Sequence, residues 1–515
     1  MKKHPATIQR GLFNMEKFIA NNQMLAQKYA SDFSIPLELA QIVAQRFSGY
    51  DDAKRFLFPD INHLHDSESM PDIKRATTEI IESIKKGEGI LIYCHDDVDG
   101  YTSAVITYKT LKDLGQEDCP LYIYPIIREK DGYVLNPEIL REYKQKGVKL
   151  ILTVDFGISN AENFRIAEEV GLKLIVCDHH ETNVTNFPVP AVDPKRIDSK
   201  YPFCELAGVG VAFKLAQSLY QKAFNLTAAE FYSLKKGFFP IVLIGTISDR
   251  VMLREENRVF CFQGLRVLSK LDEPWIRFFR QEGEINLAKI TGEIIPVIAS
   301  AAYVDPNLGV GIFLSHDEHY VAEAVARLKL VDAERKQAIE SLFKEAISAA
   351  KIFPKIVISV IPFSKQHHLG SVSSRLKEYL KRTSVVIGLQ NGKCFGELRS
   401  YGVNLYKMLY HLSDLFLDFG GHQKAAGFSM RQENLDKFIE EAVRYVADHG
   451  DEMLSEYSSS SAKPEVFLNK PDINVLSPLM PFGEGNPAPL LTDGFSIYTI
   501  DNKFNIIEQG EYGKS

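Results

Sequence analysis

The chain has 515 residues, 45% hydrophobic and 25% charged, the make-up of a globular protein too long for one core. Its 60 lysines and arginines against 67 aspartates and glutamates leave a net charge of −7, so attraction to nucleic acid would have to be local. The 6 cysteines form no CxxC pair, which argues against a disulfide framework or a thiolate metal site and for a reducing cytoplasm.

Residues 1–85 are helix-rich, with SIPLELAQIVAQRF the clearest amphipathic piece, and are expected to pack on the sheet that follows. The start MKKHPATIQRGLF lacks the sustained apolar region of a signal peptide, and no apolar segment reaches the length of a membrane span. From residue 86 short apolar runs alternate with helical stretches. The strand candidates are GILIY (89–93), PLYIYPII (120–127), KLILTV (149–154), LKLIVC (172–177) and FPIVLIGTIS (239–248). Such repetition predicts an α/β domain over 86–316, its sheet mostly parallel and covered by helices on both faces.

A pattern without glycine or proline over 317–353 predicts one long helix bridging two domains. A second α/β unit is expected over 354–450, beginning with KIVISVIPF and TSVVIGL. The serine-rich EYSSSSAKP marks a linker over 451–463, and 464–515, with PFGEGNPAPLL, reads as a short β-rich piece.

Acidic and imidazole residues fall where the strands end. His95, Asp97 and Asp99 follow GILIY, Asp155 follows KLILTV, Asp178, His179 and His180 follow LKLIVC, and Asp249 follows FPIVLIGTIS. Ligands of parallel sheets bind beyond the carboxyl ends of the strands, so these ends should converge on one rim. A single DxD or HH pair is ordinarily a solvated loop, and Asp178 alone could cap a helix. Four such ends together predict a metal site, and carboxylates with imidazoles and no thiolate suit Mn²⁺ or Mg²⁺, or less selectively zinc. If the segment stays extended, His95, Asp97 and Asp99 face one way and Asp96 the other.

A second constellation is GGHQKAAGFS (420–429), read as a glycine-rich turn before a packed helix. Gly420 and Gly421 would let backbone approach an anion, with His422 and Lys424 beside it. The same unit offers Arg375 and, in ELRSYG, Arg399 and Ser400.

Together these stretches resemble the DHH phosphoesterase superfamily and, within it, the RecJ single-stranded-DNA exonucleases. HDDVDG, DFGIS, DHH and GTISD are similar to four ordered family motifs, and GGHQKAAGF to the signature of the DHH-associated domain. Fainter likeness covers ELAGVGVAFKLA, IREKDGY and PFGEGNPAP. The resemblance implies a two-metal site. His95, Asp97 and Asp249 would hold one ion, Asp99 and His179 the other, with Asp155 bridging and also catalytic. His180, also catalytic, would contact the scissile phosphate and assist proton transfer, and Asp178 would orient a histidine. Arg128, Arg375, Arg399, Ser400, Gly420, Gly421 and His422 would bind substrate.

Two departures bear on the substrate end. Val304, in SAAYV, stands where the family has an arginine, and Glu397 where it has a serine. The expected function is 5′-to-3′ hydrolysis of single-stranded DNA in repair and recombination, in the cytoplasm. A single-strand-binding protein or a helicase is the expected partner, and no membrane is involved. The C-terminal piece is expected to form part of an oligonucleotide-binding barrel. The alternatives are a phosphodiesterase for short oligonucleotides or a signalling dinucleotide, and a non-catalytic repair scaffold.

Overall fold

The alternation over residues 89–192 resolves, in the computed structural model, into a five-stranded sheet. Its strands are β1 (Gly89–Cys94), β2 (Leu121–Pro125), β3 (Val148–Val154), β4 (Lys173–Cys177) and β5 (Ala191–Val192). They lie in the order β2-β1-β3-β4-β5, every neighbouring pair parallel. The structure describes residues 23–511 apart from 116–117, 128–130, 132–133, 183–185, 282, 363–367, 422, 451–465, 468–472, 493–495 and 501–505.

Every residue of β1 is buried, as expected of a central parallel strand covered on both faces. Its side chains alternate between two cores. Ile90, Ile92 and Cys94 join one, and Leu91 and Tyr93 the other. The first core is built with helices α1 (Ile73–Lys85), α2 (Val98–Gly115), α3 (Gly208–Phe224), α4 (Phe238–Ser248) and α5 (Glu255–Leu268).

Two expectations are corrected here. FPIVLIGTIS is helix α4, not a strand, and its residues from Phe238 to Thr246 are all buried. An apolar run buried on every side carries neither the 3.6-residue nor the two-residue period, so pattern cannot tell helix from strand. The described residues 23–85 also do not pack as one layer on the sheet. Helix α1 does, but Tyr29, Phe33, Leu39, Val43 and Phe56 form a separate core with Leu476, Leu479, Phe482, Leu491 and Ile500. Arg258 of α5 closes the edge of that core. Its guanidinium donates to the carbonyls of Phe56, Pro478 and Leu479 and stacks on the Phe56 ring at 3.7 Å.

The chain forms two compact units, residues 1–329 with 464–515, and residues 330–463. Helix α6 (Glu318–Ser348) runs from one into the other. It ends five residues before the predicted stop at 353, because Ala350–Ile352 instead forms β6, paired with β7 (Ile356–Pro362). The remaining strands of the second unit are β8 (Thr383–Gln390), β9 (Lys393–Arg399), β10 (Phe416–Gly421) and β11 (Ala425–Arg431), in the order β10-β11-β9-β8-β7-β6. The β7–β8 pair is parallel and the other four are antiparallel. Val385 and Ile387 of β8 enter one core and Val386 the other. The helix expected after GGHQK is strand β11: Ala425 and Ala426 pair with Arg399 and Leu398.

Residues 464–515 belong with the first unit and add a sheet of four short strands, β12 (Val466–Phe467), β13 (Leu490–Thr492), β14 (Ser496–Ile500) and β15 (Ile506–Glu511). The linker expected over 451–463 lies outside the described residues. Among the described residues, no helix is long and apolar enough to cross a membrane.

Candidate metal centre

Each acidic motif sits where an element of the first unit begins or ends. Strand β1 stops at Cys94 and α2 starts at Val98, so His95, Asp96 and Asp97 form a tight loop and Asp99 lies in the first helical turn. The loop closes on Gly100, where a Cβ would sit 2.4 Å from the His95 carbonyl oxygen, and the Gly100 N–H donates to Asp97 Oδ1 at 2.9 Å. Since helix begins within the motif, simple alternation does not hold. Asp96, expected to point away, is buried with Oδ1 3.7 Å from His95 Nδ1.

Asp155 leaves β3 in the left-handed region, φ 56°, and is buried. Gly208 at the start of α3 makes room for it: a Cβ there would lie 2.5 Å from Asp155 Oδ1. The same helix start serves Asp99, whose carboxylate accepts from the N–H groups of Gly208 (2.7 Å) and Val209 (2.9 Å). Asp249 ends α4.

The side chains converge. His179 Nε2 lies 3.1 Å from Asp155 Oδ1, 3.6 Å from Asp249 Oδ2 and 3.9 Å from Asp99 Oδ2. His95 Nδ1 lies 2.9 Å from Asp97 Oδ2. Three sets bring ligand atoms within 4.8 Å of one another: His95–Asp97–Asp155, Asp99–His179–Asp249 and Asp155–His179–His180. By this measure Asp249 falls in a set with Asp99 and His179, whereas the resemblance implies His95 and Asp97 as its partners on one ion. Asp178 stands behind the centre. Its Oδ1 accepts the His179 N–H at 2.7 Å and lies 2.7 Å from His180 Nδ1, while Oδ2 accepts from Ile158 N–H at 2.9 Å.

The electrostatics are those of a site built for added positive charge. Burial, then Asp249 and Asp97, push the Asp99 carboxyl well up; burial, then Asp99 and Asp97, do the same to Asp155. Burial and Asp97 raise Asp249 to about 7. Burial and the neighbouring His180 hold His179 down at about 3, keeping its ring neutral as a ligand requires. His180 moves the other way. Burial opposes its charge, but Asp178 outweighs that and raises it to about 9, while Asp178 itself is held well below the usual carboxylate range. Burial keeps the Cys94 and Cys177 thiols protonated, so no thiolate enters the donor set.

Buried polar atoms test whether ions fit. Asp155 Oδ1 and both ring nitrogens of His179 make no hydrogen bond among the described residues. Buried donors of this kind, all carboxylate oxygen or imidazole nitrogen, are what a pair of Mn²⁺ or Mg²⁺ ions would satisfy.

The residues expected to bind substrate fall differently. Arg128 and His422 lie outside the described residues. Arg375 pairs with Glu340 of α6 and lies 4.3 Å over the Phe343 ring. Arg399 Nη1 donates to Glu397 Oε2 at 3.0 Å and to the Leu398 carbonyl at 2.7 Å, and Nε donates to Ser374 Oγ at 3.1 Å. Ser400 Oγ donates to the Val403 carbonyl at 2.6 Å and accepts the Gly402 and Val403 N–H groups at 3.0 Å, closing a turn. Gly420 and Gly421 pair with Gly427 and Ala426 in a hairpin, and Gly421 has φ 132°. Val304 is half-buried against the first core.

Sequence reasoning missed Asp193 behind this centre. It follows β5, is fully buried and is raised to about 8 by burial and Asp178. A two-residue strand leaves no readable pattern, so only the acid after an apolar pair could have pointed to it. The amides of Gly208 and Val209 were invisible for a different reason: backbone donors have no residue signature.

Comparison with known proteins agrees with this geometry. Residues 89–246 match the DHH family, N-terminal domain, and residues 354–448 match the DHHA1 domain. The single-stranded-DNA-specific exonuclease RecJ of Bacillus subtilis is 29% identical over 472 residues, 88% of this chain and 58% of that protein. RecJ of Haemophilus influenzae is 27% identical over 471 residues, 86% of this chain and 80% of the relative. The crystal structure of RecJ from Thermus thermophilus with Mn²⁺ superposes with a TM-score of 0.75 at 22% identity, covering 95% of this chain and 73% of that one. The first unit carries a DHH-family N-terminal domain and the second a DHHA1 domain, the fold of the DHH phosphoesterases. Over most of its length the chain is similar to RecJ proteins, at 27–29% identity.

Proposed function

We propose that this chain is a two-metal exonuclease, using Mn²⁺ or Mg²⁺, that hydrolyses single-stranded DNA from 5′ to 3′ in repair and recombination. The observation that carries the reading is the convergence of His95, Asp97, Asp99, His179 and Asp249 around the buried, hydrogen-bond-free Asp155 Oδ1. His95 and Asp97 would hold one ion, Asp99, His179 and Asp249 the other, with Asp155 between them. Bound ions would supply an activated water and charge neutralisation at the phosphoryl centre.

The chain's own residues do the rest. Asp178 fixes the His180 ring through Nδ1 and leaves Nε2 available; the His180 side chain is 41% exposed where that of His179 is 6% exposed. Held as an imidazolium by Asp178, His180 can grip the scissile phosphate and give a proton to the departing 3′-oxygen. Asp99, locked by two N–H donors, keeps its lone pairs aimed inward. The RecJ relatives, named for activity on single-stranded DNA, support this substrate. A cytoplasmic location and a single-strand-binding or helicase partner accompany the reading.

The Glu397–Arg399 bond supports a second reading, cleavage of short oligonucleotides or a dinucleotide, because a carboxylate occupies one arm of an arginine that would otherwise meet a terminal phosphate. The test is hydrolysis with Mn²⁺ of 5′-phosphate, 5′-hydroxyl and 3′-blocked single strands beside a dinucleotide. Degradation of long strands from the 5′ end, abolished by Asp155→Ala, is expected. Persistence of long strands with rapid dinucleotide turnover would favour the second reading, and an active Asp155→Ala would overturn both.

A further inference from the structure

The carboxylates of the centre are not held equally. Asp97 and Asp99 accept backbone N–H groups, and Asp155 is boxed in by Gly208. Asp249 has neither support. Its side chain is 28% exposed, comes 3.6 Å from His179 Nε2 and accepts no hydrogen bond among the described residues. Its aim therefore depends on its backbone. On one side that backbone is the end of α4, where Asp249 N–H donates to the Gly245 carbonyl at 3.0 Å. On the other, Arg250 reverses the chain at φ 59° into the stretch 251–254.

That stretch is strapped from outside by a sequence 230 residues away that the metal chemistry leaves unused, PFGEGNP (481–487). Leu253 N–H donates to the Glu484 carbonyl at 2.8 Å, and Arg254 Nε to the Gly485 carbonyl at 2.6 Å. Both glycines of the strap are required by contact. A Cβ on Gly483 would lie 2.8 Å from Leu253 Cδ1. A Cβ on Gly485, whose φ is 69°, would lie 2.4 Å from Met252 Cγ. Asn486, 1% exposed, holds the strap in shape: Nδ2 donates to the Leu479 and Pro481 carbonyls, both at 2.6 Å, and Oδ1 accepts from Arg46 at 2.7 Å.

From inside, the buried Asn257 donates through Nδ2 to the Met252 carbonyl at 2.9 Å and to the Glu205 carbonyl. Glu205 opens the ELAG stretch that ends at Gly208, one of the two N–H donors to Asp99. One amide thus joins the loop that presents Asp249 to the loop that locks Asp99.

We propose that PFGEGNP is a positioning element of the metal centre: by fixing residues 250–254 it aims Asp249, so that filling of the Asp99–His179–Asp249 side depends on the C-terminal segment. The inference rests on the two-metal reading above. Asn257 extends the effect to Asp99, and Gly485, Arg254 and Asn486 act through Asp249 without touching an ion.

The test is titration of the full, metal-free chain with Mn²⁺, followed by calorimetry and by the electron paramagnetic resonance signal of free Mn²⁺, with thermal unfolding in parallel. The wild type should take up two ions. Gly485→Ala and Arg254→Ala should each weaken one of the two by about 10-fold or more, the size of effect that residues behind metal ligands commonly have. Asp249→Asn should affect the same ion, and Met252→Ala added to Gly485→Ala should restore part of the loss. Two ions bound by Arg254→Ala and Gly485→Ala as in the wild type would overturn the proposal. So would equal weakening of both ions in step with the unfolding temperature, which is plain structural damage. If Gly485→Ala does not fold, Arg254→Ala decides alone. A wild-type chain that binds no Mn²⁺ would instead overturn the two-metal reading.

Discussion

In the first unit, Asp99, Asp155 and Asp249 crowd around one neutral histidine, and burial together with neighbouring carboxylates, Asp97 among them, pushes all three carboxyls up, while Asp155 Oδ1 and the His179 nitrogens make no hydrogen bond among the described residues. In the second, Arg375 faces Glu340, and Arg399 faces Glu397 at 3.0 Å. Like charges gathered without a counter-charge are costly and imply something added from outside. Opposite charges already paired imply nothing of the kind. The difference teaches that density of charge is a poor guide to function, and that the sign of the neighbours and the state of the lone pairs decide.

The contrast breaks most sharply at Gly208. In Gly208→Ala a methyl would have to share space with Asp155 Oδ1, 2.5 Å away, and the carboxylate would have to leave. Mn²⁺-dependent hydrolysis should fall by about 100-fold or more, as when a metal site's support is removed. Activity within a few-fold of wild type would show that Asp155 is not critically placed. Next in size is Asp178→Asn, which removes the charge that holds His180; a loss of roughly 10- to 100-fold is expected. The alkaline limb of the rate profile should move to lower pH at the same time, because His180 loses the partner that raises it to about 9.

A stability measurement sharpens the comparison without catalysis. Asp249, at about 7, lies above the ordinary carboxylate value of ~3.9, so the folded chain holds a proton that the unfolded chain releases. The contribution of Asp249 to the stability of the metal-free protein is therefore lost as pH rises from about 4 through about 7. His180, raised above its ordinary value, adds stability that is present below about 6.5 and lost as pH rises through about 9. These two slopes run the same way; His179, held at about 3, opposes them, adding stability as pH rises from about 3 to about 6.5. The difference in unfolding temperature between wild type and Asp249→Asn isolates the Asp249 part: the wild type should lose stability relative to the variant as pH rises from about 4 through about 7, and a difference that stays constant over that range would contradict the assignment. The smallest effect is expected in the second unit. Glu397→Ser frees one N–H of Arg399 Nη1, the other staying on the Leu398 carbonyl, and preference for a 5′-phosphate over a 5′-hydroxyl strand should rise by roughly 2- to 5-fold, within the range of a single exposed charge contact. An unchanged ratio would mean that Arg399 does not meet that phosphate.

Much of this was legible in the chain because parallel strands advertise themselves as apolar runs and polar residues at their ends stand out. GILIY, KLILTV and LKLIVC carried His95, Asp155 and His179 to one rim on pattern alone. Asp249 arrived by a different route: its run is helical, and burial on every side erased the period that would have said so. The pairing of Glu397 with Arg399 was within reach, since residues two apart on a strand share a face. The grouping of Asp249 with Asp99 was not, because it depends on how α4 packs against α2, which no local pattern records.

Arg258 carries a last consequence, for biosynthesis. Two of its three carbonyl acceptors, on Pro478 and Leu479, are translated only after the whole second unit. Until they leave the ribosome, its guanidinium has no full set of partners, and the cleft lined by Tyr29, Leu39 and Val43 stays open. A polypeptide cut short by a stop codon before residue 478 would display that cleft permanently, a ready mark for chaperones and proteases that survey nascent chains.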